Sequence, residues 1–181
     1  MTNTRTEVDL LGPKEVPEDA YWGVHTQRAV ENFPISGRVV GNYPGFMKGM
    51  AEVKKAEALA NRTARVIPKK VAKAITAACD MIMYQQVARD QFPVDLFQGG
   101  AGTSVNMNAN EVIANLALET LGLPKGSYDV INPNDHVNKS QSTNDAYPTG
   151  LRLAIYHMVH DLSIELGKLS DALDRKGDEF A

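Results

Sequence analysis

The sequence predicts an all-α protein with a minor β element near its N-terminus, and three patterns carry that expectation. Apolar residues recur at helical spacing in three separate stretches between Phe46 and Leu121. A leucine-rich stripe then runs from Leu151 through Ile155, Met158, Leu162, Leu166 and Leu169 to Leu173, at steps of four, three, four, four, three and four. A pattern that permits a strand is confined to the opening residues.

From Thr4 to Asp9, the run Arg5, Thr6, Glu7, Val8 permits a short strand. Gly12-Pro13 is a turn signal after which Lys14-Glu15-Val16 can pair back. Beyond Asn42-Tyr43-Pro44-Gly45, the residues Phe46, Met50, Val53, Ala56 and Ala60 alternate with charged Lys48, Glu52, Lys54 and Glu57, the pattern of a surface helix. Ile67-Pro68 places a proline near a second helix start, and Val71, Ile75, Ala78 and Ile82 form its stripe, which fades around Tyr84 to Asp90.

A third helix is expected from about Ser104 to Leu121, stopped by Gly122 and Pro124. Asn106, Asn108 and Asn110 alternate in its first half, although asparagine competes with the helical backbone for hydrogen bonds, so tertiary hydrogen bonding must outweigh propensity. Lys125 to Ser140 is turn-rich, with Asn132-Pro133-Asn134-Asp135 at its centre. From Pro148 the pattern is helical to the end, with no Gly-Pro stop; at about 1.5 Å per residue such a helix runs roughly 50 Å, more than a domain of this size can cover. Leu153 and Ile164 lie off the main stripe, so the helix has apolar surface for more than one neighbour. We therefore expect a mainly helical N-terminal domain over residues 1–141 and the truncated start of a helical bundle over 142–181.

Bulk properties narrow the function. The 181 residues are 43% hydrophobic and 23% charged, a globular composition. With a net charge of -3 and its 19 Lys and Arg scattered, the chain has no basic stripe for nucleic acid or an anionic membrane. Cys79 is the single cysteine, which excludes an internal disulfide framework and a cysteine-based zinc cluster; beside Ala77 and Ala78 it reads as a core thiol in a reducing compartment. The opening residues lack a basic region followed by an apolar core, and no run approaches the roughly 18 apolar residues of a membrane span, so a cytoplasmic location is expected.

Two loops carry candidate chemistry. Gln98-Gly99-Gly100-Ala101-Gly102-Thr103-Ser104 is a glycine-rich loop leading into a helix, an arrangement that aims free N–H groups at an anion. It is not a P-loop, since no Gly-Lys-Ser/Thr follows, nor a dinucleotide fingerprint, since Val105 occupies the third glycine position; a tight turn capped by Thr103 or Ser104 remains open. Ser140-Gln141-Ser142-Thr143-Asn144-Asp145 sets six hydrogen-bonding side chains before the expected Tyr147-Pro148 helix start, where a cap needs one. The surplus fits a pocket for a carboxylate-rich ligand held by hydroxyls, amides and backbone N–H groups, with a solvated capping loop as the alternative. His136 beside Asp135 does not make a triad, His25 has less support still, and His157 and His160 at helical spacing lack a carboxylate motif for metal.

The stretches Gly99 to Asn108, Asn110-Glu111 and Asn132 to Asp145 resemble the aspartase/fumarase superfamily. Asp9-Leu10-Leu11-Gly12, Tyr21 to Arg28 and Asp90 to Asp95 are similar to its aspartase branch, the aspartate ammonia-lyases, as are Gly100-Ala101-Gly102-Thr103 and Asn132-Pro133, where fumarases usually carry Gly-Ser-Gly-Thr and a histidine. The resemblance implies an all-α fold with a small N-terminal domain, a central domain of long helices and a C-terminal domain. It implies a homotetramer that pools its central helices, with each active site drawn from three subunits. The implied reaction is reversible elimination of ammonia from L-aspartate to give fumarate, with no organic cofactor, and no metal-ligating residue is assigned in this chain. By the same resemblance Thr103, Ser142 and Thr143 hydrogen-bond the substrate β-carboxylate and Asn144 orients the departing amino group; Asn106 and Asn110 are read as positioning the two loops through their amides, with direct contact to substrate as the alternative. The base-bearing serine loop, its lysine and a downstream histidine lie beyond residue 181, so no catalytic base is assigned within this chain, and the chain alone is expected to be inactive. Arg28, Lys139 and His136 receive no role. Fumarate hydratase of the same superfamily and a non-catalytic oligomerising segment stay open as alternatives.

Overall fold

The computed structural model describes residues 3–84, 87 and 89–181. The first strand, β1 (Thr4–Asp9), pairs antiparallel with β2 (Gly12–Pro17), with Arg5 opposite Val16 and Thr6 opposite Glu15. The reversal falls at Leu10-Leu11, not at the expected Gly12-Pro13, which belongs to β2. Asp9 Oδ1 accepts the Leu11 N–H at 2.9 Å, so an aspartate side chain makes the turn.

Among the described residues five α-helices follow: α1 (Val24–Asn32), α2 (Pro44–Thr63), α3 (Lys69–Tyr84), α4 (Thr103–Thr120) and α5 (Thr143–Glu179). The three expected between residues 46 and 121 are all present. The expected fading over Tyr84 to Asp90 falls partly on residues 85, 86 and 88, which lie outside the described residues. A short π-helical turn spans Pro133–Val137, capped by Asn132 Oδ1, which accepts the N–H groups of Asn134 and Asp135. None of the helices is long and apolar enough to cross a membrane, among the residues described.

The core is arranged around α4. Every residue from Val105 to Leu118 is buried, so this helix has no solvent face, and α3, α1 and α2 pack around it. Val112, Ile113, Leu116 and Leu118 meet Ile75, Ala78, Cys79 and Met50 in one continuous cluster. Cys79 is the expected core thiol; full burial pushes its pKa up to about 12, so it stays protonated.

Two expectations are corrected. The helix α2 is not a surface helix, because α3 covers one side and α5 another, and Lys54 is fully buried within it. The last helix begins at Thr143 rather than at Pro148, which lies inside it. Pro148 removes one bond, the N–H that would reach the Asn144 carbonyl, and sits close enough to the N-terminus for the helix to continue. At 37 residues α5 is about 55 Å long. Its first turns pack on α2 where Gly49 faces Gly150, a crossing so close that a Cβ on Gly49 would overlap the Gly150 carbonyl oxygen. Beyond Ala154 the stripe Ile155, Met158, Leu162, Leu166, Leu169 and Leu173 is exposed.

The sequence pattern does not show α1, which has no side-chain cap of its own. Its N-terminal N–H groups are met instead by two distant buried carboxylates. Glu111 Oε2 accepts Gly23 N–H (2.9 Å) and Thr26 N–H (3.0 Å), while Oε1 accepts His25 N–H (2.9 Å) and His25 Nδ1–H (3.0 Å). Glu7 Oε2 accepts Val24 N–H at 2.9 Å, and Arg5 and the Tyr128 hydroxyl hold Glu7 in turn. Both carboxylates sit at the positive end of the α1 dipole. The hydrogen bond to Glu111 raises the His25 pKa above its ordinary 6.5.

Glu111→Gln turns an acceptor of four hydrogen bonds into a group that meets some of those donors with its own N–H. Leaving buried donors unmet should lower unfolding stability by about 2–4 kcal/mol, read from urea denaturation. Because His25 has a raised folded pKa, its contribution is complete below pH 6.5 and lost as pH rises through the folded value. That pH-dependent part of the stability should vanish in His25→Asn.

Candidate active site

The two candidate loops meet where α4 and α5 begin. Gly102 caps α4 in the left-handed conformation at φ +88, and a Cβ there would overlap the Tyr147 ring of α5, so this glycine is required by both conformation and contact. Gln98 Oε1 accepts the Val105 N–H at 2.9 Å. The Thr103 and Ser104 N–H groups, the first two of α4, have no intrahelical partner and keep the anion-binding character of a helix start.

At the other helix start, Ser142 is the N-cap of α5, its Oγ accepting the Asn144 N–H at 3.2 Å. Asn106, one turn into α4, donates from Nδ2 to Thr143 Oγ1 at 3.2 Å and ties the two helix starts together. Each hydroxyl oxygen thus accepts one protein hydrogen. Its own proton is left to donate elsewhere.

The connection before Ser142 is held by buried polar groups. Asn138 Oδ1 accepts from Lys54 Nζ (3.0 Å), Asn106 Nδ2 (3.0 Å) and Asn110 Nδ2 (3.2 Å). Lys54 Nζ also donates to Gln141 Oε1 at 2.5 Å, Gln141 Nε2 donates back to the Val137 carbonyl at 2.8 Å, and Asn61 Nδ2 donates to the Lys139 carbonyl at 2.7 Å. This grip maintains Ser140 at φ +61, a conformation that costs a non-glycine residue of order 1–3 kcal/mol. Burial lowers the Lys54 pKa from 10.5 to about 8, and the Glu57 carboxylate 3.9 Å away opposes that shift, so the ammonium predominates at pH 7.

The candidate residues do not share one cavity in this chain. Asn144 lines a cavity of about 360 Å³ with Gly100, Ala101, Gly102, Phe97 and Tyr147. Thr103 and Ser104 line another of about 220 Å³ with Asp9, Arg28 and Met107. Ser142 and Thr143 line neither; Ser142 is exposed and Thr143 half-buried. Arg28 makes a two-pronged bond to Asp9 at 2.9 and 3.0 Å, which occupies its guanidinium in holding the hairpin. His136 Nδ1 accepts the Asn132 N–H at 2.9 Å inside the π-helical turn, a local partnership, and His157 of α5 lies 3.2 Å from Glu52 of α2, joining those two helices.

Sequence reasoning missed Lys54 and the role of Glu111. The signal for Lys54 was available, since Met47, Met50, Lys54, Ala58 and Asn61 fall on one buried stripe of α2 in which two members are polar.

The sequence matches the Lyase family over residues 12–181. The chain belongs to that family. Among relatives of this lyase segment, the aspartate ammonia-lyase of Escherichia coli (strain K12) is 57% identical over 178 residues, covering 98% of this chain and 37% of its own length. That of Corynebacterium glutamicum is 55% identical, covering 97% of this chain and 34% of its own length. The lyase chain therefore spans only about a third of the curated relatives. In three dimensions it is similar to fumarate lyase:delta crystallin from Brucella melitensis in native form, with a TM-score of 0.96, 52% identity, and coverage of 99% of this chain and 41% of that one. The recombinant class II fumarase from Schistosoma mansoni is more distant, with a TM-score of 0.77 and 34% identity over 84% of this chain and 32% of its own. The all-α architecture with its small hairpin is thus that of fumarate-lyase relatives.

Gly102→Ala should destabilise the protein by about 2 kcal/mol more than Gly122→Ala, because both sites have positive φ but only Gly102 is crowded. Urea midpoints of the two variants give this difference; equal losses would mean that Tyr147 yields without cost.

Proposed function

We propose that this chain is the N-terminal part of an aspartate ammonia-lyase, which eliminates ammonia from L-aspartate to give fumarate. The observation that carries the reading is the Asn106–Thr143 bond, 3.2 Å long, which fixes the α4 and α5 starts side by side with hydroxyl protons left over. High identity to aspartate ammonia-lyases over nearly the whole chain supports it.

Removing a Cβ proton beside a carboxylate forces further charge onto an anionic group, so the transition state approaches an aci-carboxylate with two negative oxygens. Donors fixed in advance stabilise that charge without reorganising. In this reading Ser142 and Thr143 donate their hydroxyl protons to the β-carboxylate, and Thr103 donates from the neighbouring helix start. Asn144, beside the glycine loop, orients the amino group. The proton acceptor at Cβ is supplied by sequence beyond residue 181, so residues 1–181 alone are inactive. The separate cavities of Asn144 and Thr103 fit a site that other subunits complete.

Subunit association has its own support. The exposed stripe from Ile155 to Leu173 is a bundle face without a partner among the described residues, of the kind that a tetramer of α5 helices buries. Residues 1–141 form the N-terminal domain in this reading and 142–181 the start of the central bundle.

In a full-length protein containing this segment, Thr143→Val should lower kcat for L-aspartate by roughly 10²- to 10³-fold, the usual effect of losing one oxyanion donor. The same protein should turn over L-aspartate with a kcat/KM well above that for L-malate; the reverse order would make it a fumarate hydratase. Leu162→Asp should abolish tetramer formation, because it puts an unpaired charge on the apolar face. An intact tetramer by light scattering would place that face outside the assembly.

A further inference from the structure

Lys54 is the largest fully buried side chain among the described residues, and the reaction described above makes no use of it. Its ammonium has three protons to donate and no capacity to accept. Asparagine amides, by contrast, can turn either end toward a neighbour, so a chain of amides has no inherent direction. Lys54 supplies one. Facing Nζ at 3.0 Å, Asn138 must present its oxygen rather than its NH₂ group. That oxygen obliges Asn106 and Asn110 to present Nδ2, at 3.0 and 3.2 Å. Asn106 Nδ2 then also donates to Thr143 Oγ1 at 3.2 Å, which directs the Thr143 proton away from Asn106.

We infer that Lys54 is a positioning residue that sets the direction of the hydrogen-bond chain Lys54–Asn138–Asn106–Thr143 and thereby keeps the Thr143 hydroxyl a donor toward the substrate carboxylate. The inference rests on the reading of Thr143 as a carboxylate donor. The opposite direction would put an amide oxygen against Thr143, whose proton would then be spent inside the protein. Gln141 adds a second restraint, because Lys54 takes its oxygen and leaves its NH₂ for the Val137 carbonyl, fixing the backbone just before Ser142. A residue with an apolar side chain of similar length would fill the space without imposing direction.

The test is a double-mutant cycle in the full-length protein, combining Lys54→Met with Thr143→Val. Lys54→Met alone should lower kcat for L-aspartate by about 10- to 100-fold, with KM changed by less than about threefold, because the lost donor acts on transition-state charge. In the Thr143→Val background the same change should alter kcat by less than about twofold, since the hydroxyl through which Lys54 acts is gone. If the Met variant does not assemble, Lys54→Leu, which likewise has no donor, takes its place in the cycle with the same expected pattern. An equal loss in both backgrounds, or an unchanged kcat for the Lys54 variant alone, overturns the inference. Thr143→Val with wild-type kcat would instead overturn the reading of Thr143 on which it stands.

Discussion

A helix buried on all sides that carries five buried polar side chains imposes the constraint on which the rest of this structure depends. Asn106, Asn108, Asn110, Glu111 and Asn115 of α4 are each at most 1% exposed. An unmet polar group at such depth costs of order 1–3 kcal/mol, so each side chain recruits partners that α4 itself does not offer, although the Oδ1 atoms of Asn106, Asn108 and Asn110 accept no hydrogen bond from the chain. The partners are the irregular segments around it. Asn106 and Asn110 hold the connection into α5, Asn108 donates to the Gln91 carbonyl, and Glu111 caps α1. Asn115 donates to the Tyr21 carbonyl and the Tyr128 hydroxyl while accepting the Gly126 N–H. Segments far apart in sequence are thus bound to one rigid rod.

This explains how loops can be precise enough for a reaction that depends on fixed donors. The glycine loop is trapped between α4 and the Tyr147 ring, and the Asn138–Ser142 connection is gripped by α2 and α4 together. Charge is used sparingly in the interior. Glu111 meets the α1 amides and His25, Glu7 meets α1, Arg5 and Tyr128, and Lys54 meets two amide oxygens with Glu57 at 3.9 Å. Each buried charge has hydrogen-bond partners, the condition under which burial is tolerable.

The helices were legible where burial follows one face. The stripes of α2, α3 and α5 stand out because hydrophobic spacing is a local property. The asparagine run in α4 was legible as a demand for tertiary hydrogen bonds, and its partners prove to be the connection to α5 and the Gln91 carbonyl. What was not legible depends on residues distant in sequence. Nothing local marks α1, whose cap comes from Glu7 and Glu111; Lys54 shares a stripe with Met47, Met50 and Ala58, but that this stripe is the buried one follows only from how α2 packs. The polar run from Ser140 to Asp145 reads in sequence as a loop before a helix start at Tyr147-Pro148. The structure makes Thr143 to Tyr147 the first turns of α5, where a proline costs only one bond. Thr103, Ser142, Thr143 and Asn144 emerged as candidates from surplus polarity at helix starts and from resemblance; that Thr103 and Asn144 line separate cavities, with Ser142 and Thr143 in neither, needed coordinates.

The central claim is that buried side chains of α4, rather than the loops' own sequence, keep the surrounding segments ordered. Amide hydrogen exchange of the full-length protein, resolved to residues 21–27, tests this most directly, because Gly23, His25 and Thr26 donate to Glu111 of α4 instead of to their own helix. The account predicts protection of this segment comparable with that of α4. Exchange as fast as that of the exposed Leu10-Leu11 turn would contradict it.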